Sequence, residues 1–235
     1  MVLTNGFSYQ IIKLVKKSAH FDKGVIDPKI IIGAVVIGAI VVFFIATGNF
    51  KFSASVNNQQ TSTSSQTSTE TSTPTKEEPS APKTKTYTNS TYGLSLEYPE
   101  DWSMKENPAT GIVVAFGSPK ESSDDKFVDN VNVSFTNLSS KDALTLDQLA
   151  DAWLKETENS APTFKLLDRQ HTSVAGETAE QLVYSFSNKG MDMKGMVVIT
   201  MKNKMAYIVT YSAEEGSYDK FVDAANTMVS SLKLD

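Results

Sequence analysis

Residues 30–46 read IIIGAVVIGAIVVFFIA, an apolar run without one charged or hydrogen-bonding side chain. With Thr47 and Gly48 it covers 30–48. A helix of that length rises about 28 Å, close to the ~30 Å hydrocarbon core of a bilayer. Neither flank carries enough apolar sequence to cover such a helix in water, so the run predicts a transmembrane helix. Gly33 and Gly38 are ordinary in that setting. A signal peptide cleaved near Ser53-Ala54-Ser55 is the rival reading, but the 29 residues ahead of the run are long for its basic region. Lys13, Lys16, Lys17, Lys23 and Lys29 precede the run against Asp22 and Asp27, and only Lys51 follows closely. The positive-inside rule then puts the N-terminus in the cytoplasm and everything past the run outside.

This divides the chain into a cytoplasmic segment (1–29), a single transmembrane helix (30–48), a stalk (49–86) and an extracytoplasmic domain (87–235). In the first segment Phe7, Ile11, Leu14 and Val15 fall at helical spacing, which suits either a short amphipathic helix on the inner leaflet or a disordered tail. The stalk is Ser/Thr/Pro-rich with almost no apolar content, so it cannot offset its ordering entropy. As a flexible coil it would span roughly 30 Å. The domain holds 13 basic and 22 acidic side chains, and its single arginine, Arg169, is the only one in the chain. That balance excludes nucleic acid as a partner, because phosphate contacts need Lys and Arg. There is no cysteine, which excludes disulfides, thiolate metal sites and cysteine nucleophiles. The expected partners are the lipid bilayer and a membrane-associated protein.

Within 87–235 the apolar period changes twice. TYTNSTYGLSLEYP predicts a hairpin, with strands near 86–88 and 94–98, the second stopped by Pro99, which cannot donate into a ladder. Strands follow at 111–119 and 128–138. In the latter Val131, Val133 and Phe135 alternate with polar residues, predicting one buried and one wet face. LTLDQLADAWLKETEN, 144–159, predicts a helix with Thr145 as cap, Gln148 completing a capping box, and Leu146, Leu149, Ala150 and Trp153 facing inward. Strands at 164–174, 178–187, 191–201 and 205–213 are punctuated by Ala175-Gly176, Asn188-Lys189-Gly190 and Lys202-Asn203-Lys204. A helix over 217–232, capped by Ser217, closes the chain. An antiparallel meander with two inserted helices is an α+β arrangement.

The segment YTNSTYGLSLEYPEDW resembles the opening hairpin of the PsbP family. LTLDQLADAWL resembles its central helix, VAGETAEQLVYSF its glycine turn and strand, KNKMAYIVTYSA the strand before the last helix, and FVDAANTMVSSLKL the closing helix. The resemblance covers about 87–235. It implies a Mog1/PsbP-like α/β/α sandwich on an antiparallel sheet, and an extrinsic binding module. The family's photosynthetic members are extrinsic subunits of photosystem II that help retain calcium and chloride; many others are secreted or membrane-tethered. An anchor and stalk stand here where photosystem members carry a transit peptide and docking arm. The resemblance is therefore taken for fold and a non-catalytic binding role, with a photosystem II role as the last alternative.

No HExxH, P-loop, GxSxG or GxGxxG occurs. Ser217-Tyr218-Asp219-Lys220 fits Ser-x-x-Lys, a pattern common by chance. The second reading of function is a metal- or small-ligand-binding extracytoplasmic domain, and its candidate metal ligands point to copper or calcium. Met191 and Met193 share a strand face with Met196 near, and thioethers suit Cu(I); the plainer reading is that methionine fills a sheet–helix interface. His171 would need a second ligand from Asp168 or another strand. Asp124, Asp125 and Asp129 form an acidic loop without the ligand spacing of a dedicated calcium loop. Asn89, Asn132 and Asn137 head N-glycosylation sequons.

Overall fold

The computed structural model describes residues 83–109, 111–123, 125, 127–138 and 144–235. The transmembrane helix expected at 30–48, the cytoplasmic segment and most of the stalk lie outside the described residues. Among the described residues no helix is long and apolar enough to cross a membrane.

The elements run β1 (Thr84–Asn89), β2 (Leu94–Pro99), β3 (Ser103–Glu106), β4 (Ile112–Gly117), β5 (Asn130–Asn137), α1 (Leu146–Ser160), β6 (Lys165–Val174), β7 (Glu177–Asn188), β8 (Met191–Lys202), β9 (Met205–Glu214), α2 (Tyr218–Ser230) and β10 (Lys233–Leu234). They form a seven-stranded antiparallel sheet, ordered β3-β4-β5-β9-β8-β7-β6, and a small sheet, β1-β2-β10. α1 packs on β7 and β8, while α2 packs on β2, β8 and β9. The large sheet therefore lies between α1 on one side and α2 with the small sheet on the other. This is the α+β sandwich expected.

Four details differ from the pattern reading. The folded domain starts earlier than 87: Thr84 pairs with Pro99 and Thr86 with Glu97, so the backbone of 84–86 is part of the ladder despite its polar side chains. β3 and β10 have no alternating signature. β3 is a four-residue edge strand and β10 a two-residue one held by β2, so each is too short to show a period, although Leu234 of β10 is buried. The third difference is in β5, whose polar face is not wet. Asn130, Asn132 and Ser134 are buried, because the strand is interior to a sheet covered on both sides. Asn132 is fully buried, with its amide donating to the Thr210 carbonyl, so this sequon is closed to glycosylation in the folded domain. Finally, Ser217 stands at the N-cap of α2 but its side chain does not cap; the hydroxyl donates back to the Glu214 carbonyl.

The signals at α1 and at the hairpins are local and complete. Thr145 Oγ1 accepts from the Gln148 N–H at 3.2 Å, and the Thr145 N–H donates to Gln148 Oε1 at 3.0 Å, which is the full capping box. The three hairpins of the meander turn on Ala175-Gly176, Lys189-Gly190 and Asn203-Lys204, with both residues at positive φ in each. Paired positive φ marks the two-residue turn whose twist matches the flanking strands.

Candidate functional site

Two polar sites and one apolar one hold the residues that the sequence singles out. The first surrounds Glu180, whose carboxylate is 1% exposed on the α1 face of β7. In that strand Glu180 shares parity with Leu182, Tyr184 and Phe186, so it occupies a core position. A buried carboxylate needs partners. Arg169 Nε donates to Oε2 at 3.1 Å, and His171 Nδ1 lies 3.1 Å from Oε1. Both come from β6, where His171 is directly opposite Glu180. Arg169 continues to Asp151 of α1 at 2.6 Å, and these two carboxylates hold its guanidinium firmly charged, its pKa raised above the ordinary value. His171 Nε2 is 4.0 Å from Asp147, in the first turn of α1. Ligand atoms of Asp147, His171 and Glu180 all lie within 4.8 Å of one another, near enough to converge on a cation. The partners of His171 thus come from another strand and a helix; Asp168 is not among them. The charge at core parity in TAEQLVYSFS was the sequence signal for Glu180.

The second site is an open cleft of about 370 Å³ between the 118–129 loop and the β9–α2 corner. Asp125 and Asp129 both line it, and Asp124 lies outside the described residues. Asp125 is spent on the loop: Oδ1 accepts from the Phe127 N–H and Oδ2 from the Glu121 N–H. Asp129 is 3% exposed. Its Oδ1 accepts from the Glu214 N–H at 3.2 Å, while Oδ2 has no hydrogen-bond partner. Burial pushes its pKa up to about 6, with the Glu214 N–H pulling it partly back and Glu121 and Asp125 adding to the rise. Glu121 and Glu214 complete the acidic rim. The Ser-x-x-Lys pattern also ends here without a Ser–Lys pair, because Lys220 Nζ meets Glu121 at 3.3 Å and Ser217 bonds to Glu214.

The methionines do not converge. Met193 is fully buried, and Met191 half-buried, on the α1 side of β8; Met196 is buried on the α2 side. An odd spacing along a strand puts side chains on opposite faces. Met193 and Met196 fill the two sheet–helix interfaces.

The model of the PsbP-like protein family matches residues 31–233, well over half the chain. The chain belongs to the PsbP-like protein family. Among solved structures, this PsbP-like chain is similar to the cyanobacterial PsbP, CyanoP, of Synechocystis sp. PCC 6803, at 15% identity and a TM-score of 0.52, covering 69% of this chain and 98% of that one. LpqN of Mycobacterium tuberculosis, described as involved in cell envelope biogenesis, aligns at 17% identity and a TM-score of 0.47, over 60% of this chain and 82% of that one. The Ran-binding protein Mog1p of Saccharomyces cerevisiae aligns at 10% identity and a TM-score of 0.46, over 66% and 96%. At these identities the CyanoP likeness establishes the fold of the PsbP-like domain and no activity. No curated protein sequence matches the chain.

Proposed function

We propose that this PsbP-like protein is a single-pass, membrane-anchored, extracytoplasmic and non-catalytic module that binds or stabilises a membrane-associated protein assembly. The observation that carries the reading is β6. It is the edge strand of the large sheet and is exposed along nearly its whole length. A bulge between Leu166 and Asp168 turns two consecutive leucines outward, Leu166 at 40% and Leu167 at 51% exposure. Edge backbone groups that pair with no strand among the described residues, beside exposed leucines, are what a protein partner uses in strand addition. The family match beginning at Ile31, inside the apolar run, supports an anchor that belongs with the domain. A photo-crosslinking residue at Leu167 in native membranes should capture a second protein. Capture of nothing but further copies of this chain would count decisively against the reading.

A second reading, a metal-binding extracytoplasmic domain, is favoured by the Asp147–His171–Glu180 cluster. Imidazole with carboxylates suits Zn²⁺ or Cu²⁺ better than Cu(I) or Ca²⁺. Zinc chloride should raise the melting temperature of the full chain, and His171→Ala should abolish the rise; an unchanged melting temperature in the parent protein ends this reading.

A further inference from the structure

The chain carries an alternating segment between the apolar run and the folded domain. Residues 50–56 read FKFSASV and lie outside the described residues. Phe50, Phe52, Ala54 and Val56 alternate with Lys51, Ser53 and Ser55, the period of a strand with one apolar face. The sequence over 57–82 has no such pattern, since apart from prolines Ala81 is its one apolar residue. At ~3.3 Å per residue the segment would make a strand of roughly 23 Å. β6 offers an edge of sufficient length. It is ten residues long, paired with β7 on one side and with no strand among the described residues on the other. A long edge that carries exposed leucines is an aggregation hazard, and proteins commonly cover such edges.

The two faces of β6 match the two faces of this segment. On the α1 side, opposite Tyr184, Leu182 and Glu180, stand Leu166, Arg169 and His171, with Leu167 turned outward at the bulge. On the α2 side, opposite Val183, Gln181 and Ala179, stand Asp168, Gln170 and Thr172. Side chains alternate along any strand, whichever way it runs. A segment that sets its phenylalanines on the α1 side, beside the leucines and the Arg169 guanidinium, therefore sets Lys51, Ser53 and Ser55 on the α2 side, along Asp168, Gln170 and Thr172. Apolar groups then meet apolar groups, an aromatic ring can meet a guanidinium, and a lysine can meet a carboxylate, all favourable cross-strand pairings. The tether permits it. Residues 57–83 reach roughly 90 Å at full stretch, several times the ~15 Å radius of gyration of a domain of this size. A tether of that kind holds the segment near the edge at a concentration on the order of millimolar. We infer that residues 50–56 add to the open side of β6 as an eighth strand of the large sheet. The inference rests on the binding-module reading and gives it a regulation, because a partner protein that uses β6 must first displace the chain's own strand.

The chain has no cysteine, so introduced cysteine pairs report the contact directly. In the full chain, in native membranes, Ser53→Cys is combined with Gln170→Cys on β6. The control combines it with Met104→Cys, 42% exposed on β3 at the opposite edge of the same sheet. Crosslinking within one chain by a short bis-maleimide should be at least about tenfold faster to β6 than to β3. Phe50→Ser together with Phe52→Ser should bring the two rates together. Equal rates at both edges, crosslinks between copies only, or a β6 preference that survives both serine substitutions would each overturn the proposal. The photo-crosslinking residue at Leu167 separates this inference from the reading it rests on. The two serine substitutions should raise capture of a second protein there severalfold, and unchanged capture would overturn the displacement step. Capture of a second protein alongside equal cysteine rates would sink the eighth strand and leave the binding module standing. A β6 preference with no second protein captured, even in the serine variant, would keep the strand and remove the binding module.

Discussion

Asp129 is a residue whose charge the fold resists. Its pKa rises from 3.8 to about 6 because burial outweighs the hydrogen bond from the Glu214 N–H, and Glu121 and Asp125 repel its anion. A raised carboxylate pKa means that the folded state holds the proton more tightly than the unfolded chain. Stability is therefore full below pH ~4, falls as the pH climbs, and is reduced by up to about 3 kcal/mol above pH ~6. Asp129→Asn removes the charge while keeping the shape. The variant should match the parent near pH 4 and exceed it in stability at pH 7, in chelator. Urea unfolding followed by tryptophan fluorescence checks this, since Trp102 and Trp153, the only tryptophans, both sit in the core. A stability difference independent of pH would refute it. Glu180 contrasts with Asp129, because its burial is answered by Arg169 and His171. Glu180→Ala should destabilise the domain by about 2–3 kcal/mol, below the 3–5 kcal/mol of a fully buried pair because Arg169 reaches solvent.

Among the elements, β8 carries the tightest constraint. Gly195 lies directly opposite Tyr184 on the α1 face, and a Cβ there would come within 2.5 Å of the Tyr184 ring. The ring is fully buried against Trp153 and Phe164, at centroid distances of 5.3 and 5.5 Å, so it cannot step aside. Gly195→Ala should cost about 2–3 kcal/mol by overpacking, and the same change in a Tyr184→Leu background should cost much less. Thermal melts of the four proteins would show that coupling, and additive losses would contradict it. Thr145→Ala should remove the capping box and cost about 1 kcal/mol. These two positions differ in how far the sequence exposes them. The cap was legible because Thr145 and Gln148 are three residues apart and satisfy each other locally. The constraint on Gly195 was hidden because it depends on a partner eleven residues away that only the ladder register brings overhead. The same holds for the sites. His171 and the two described loop aspartates were visible as residue types, but Asp147, Glu180, Glu121 and Glu214 join them only through cross-strand pairing and loop docking.

At the scale of the whole molecule, the fold closes through its ends. β10, at the end of the chain, pairs with β2, and Lys202 Nζ reaches the Leu234 carbonyl at 2.5 Å. Such closure over most of the domain has no period of its own, which is why β10 could not be read from the sequence although the β1–β2 hairpin it joins could. The start of the domain is fixed in the same way. The Glu100 N–H donates to the Lys83 carbonyl at 2.9 Å, and Lys85 Nζ donates to the Glu100 carbonyl at 3.1 Å. A protease needs an extended segment that it can draw into its active site, and backbone held in a ladder resists this. Trypsin can cut the stalk after Lys51, Lys76, Lys83 or Lys85, and the pairing from Lys83 onward should shield the last two. If the domain stands outside the membrane on an exposed stalk, trypsin added to intact cells should release one stable fragment beginning at Glu77. N-terminal sequencing of the released material reads both claims at once. A fragment beginning at Thr86 would move the domain boundary back toward 87, and complete protection in intact cells, with cleavage after lysis, would place the domain on the inner side.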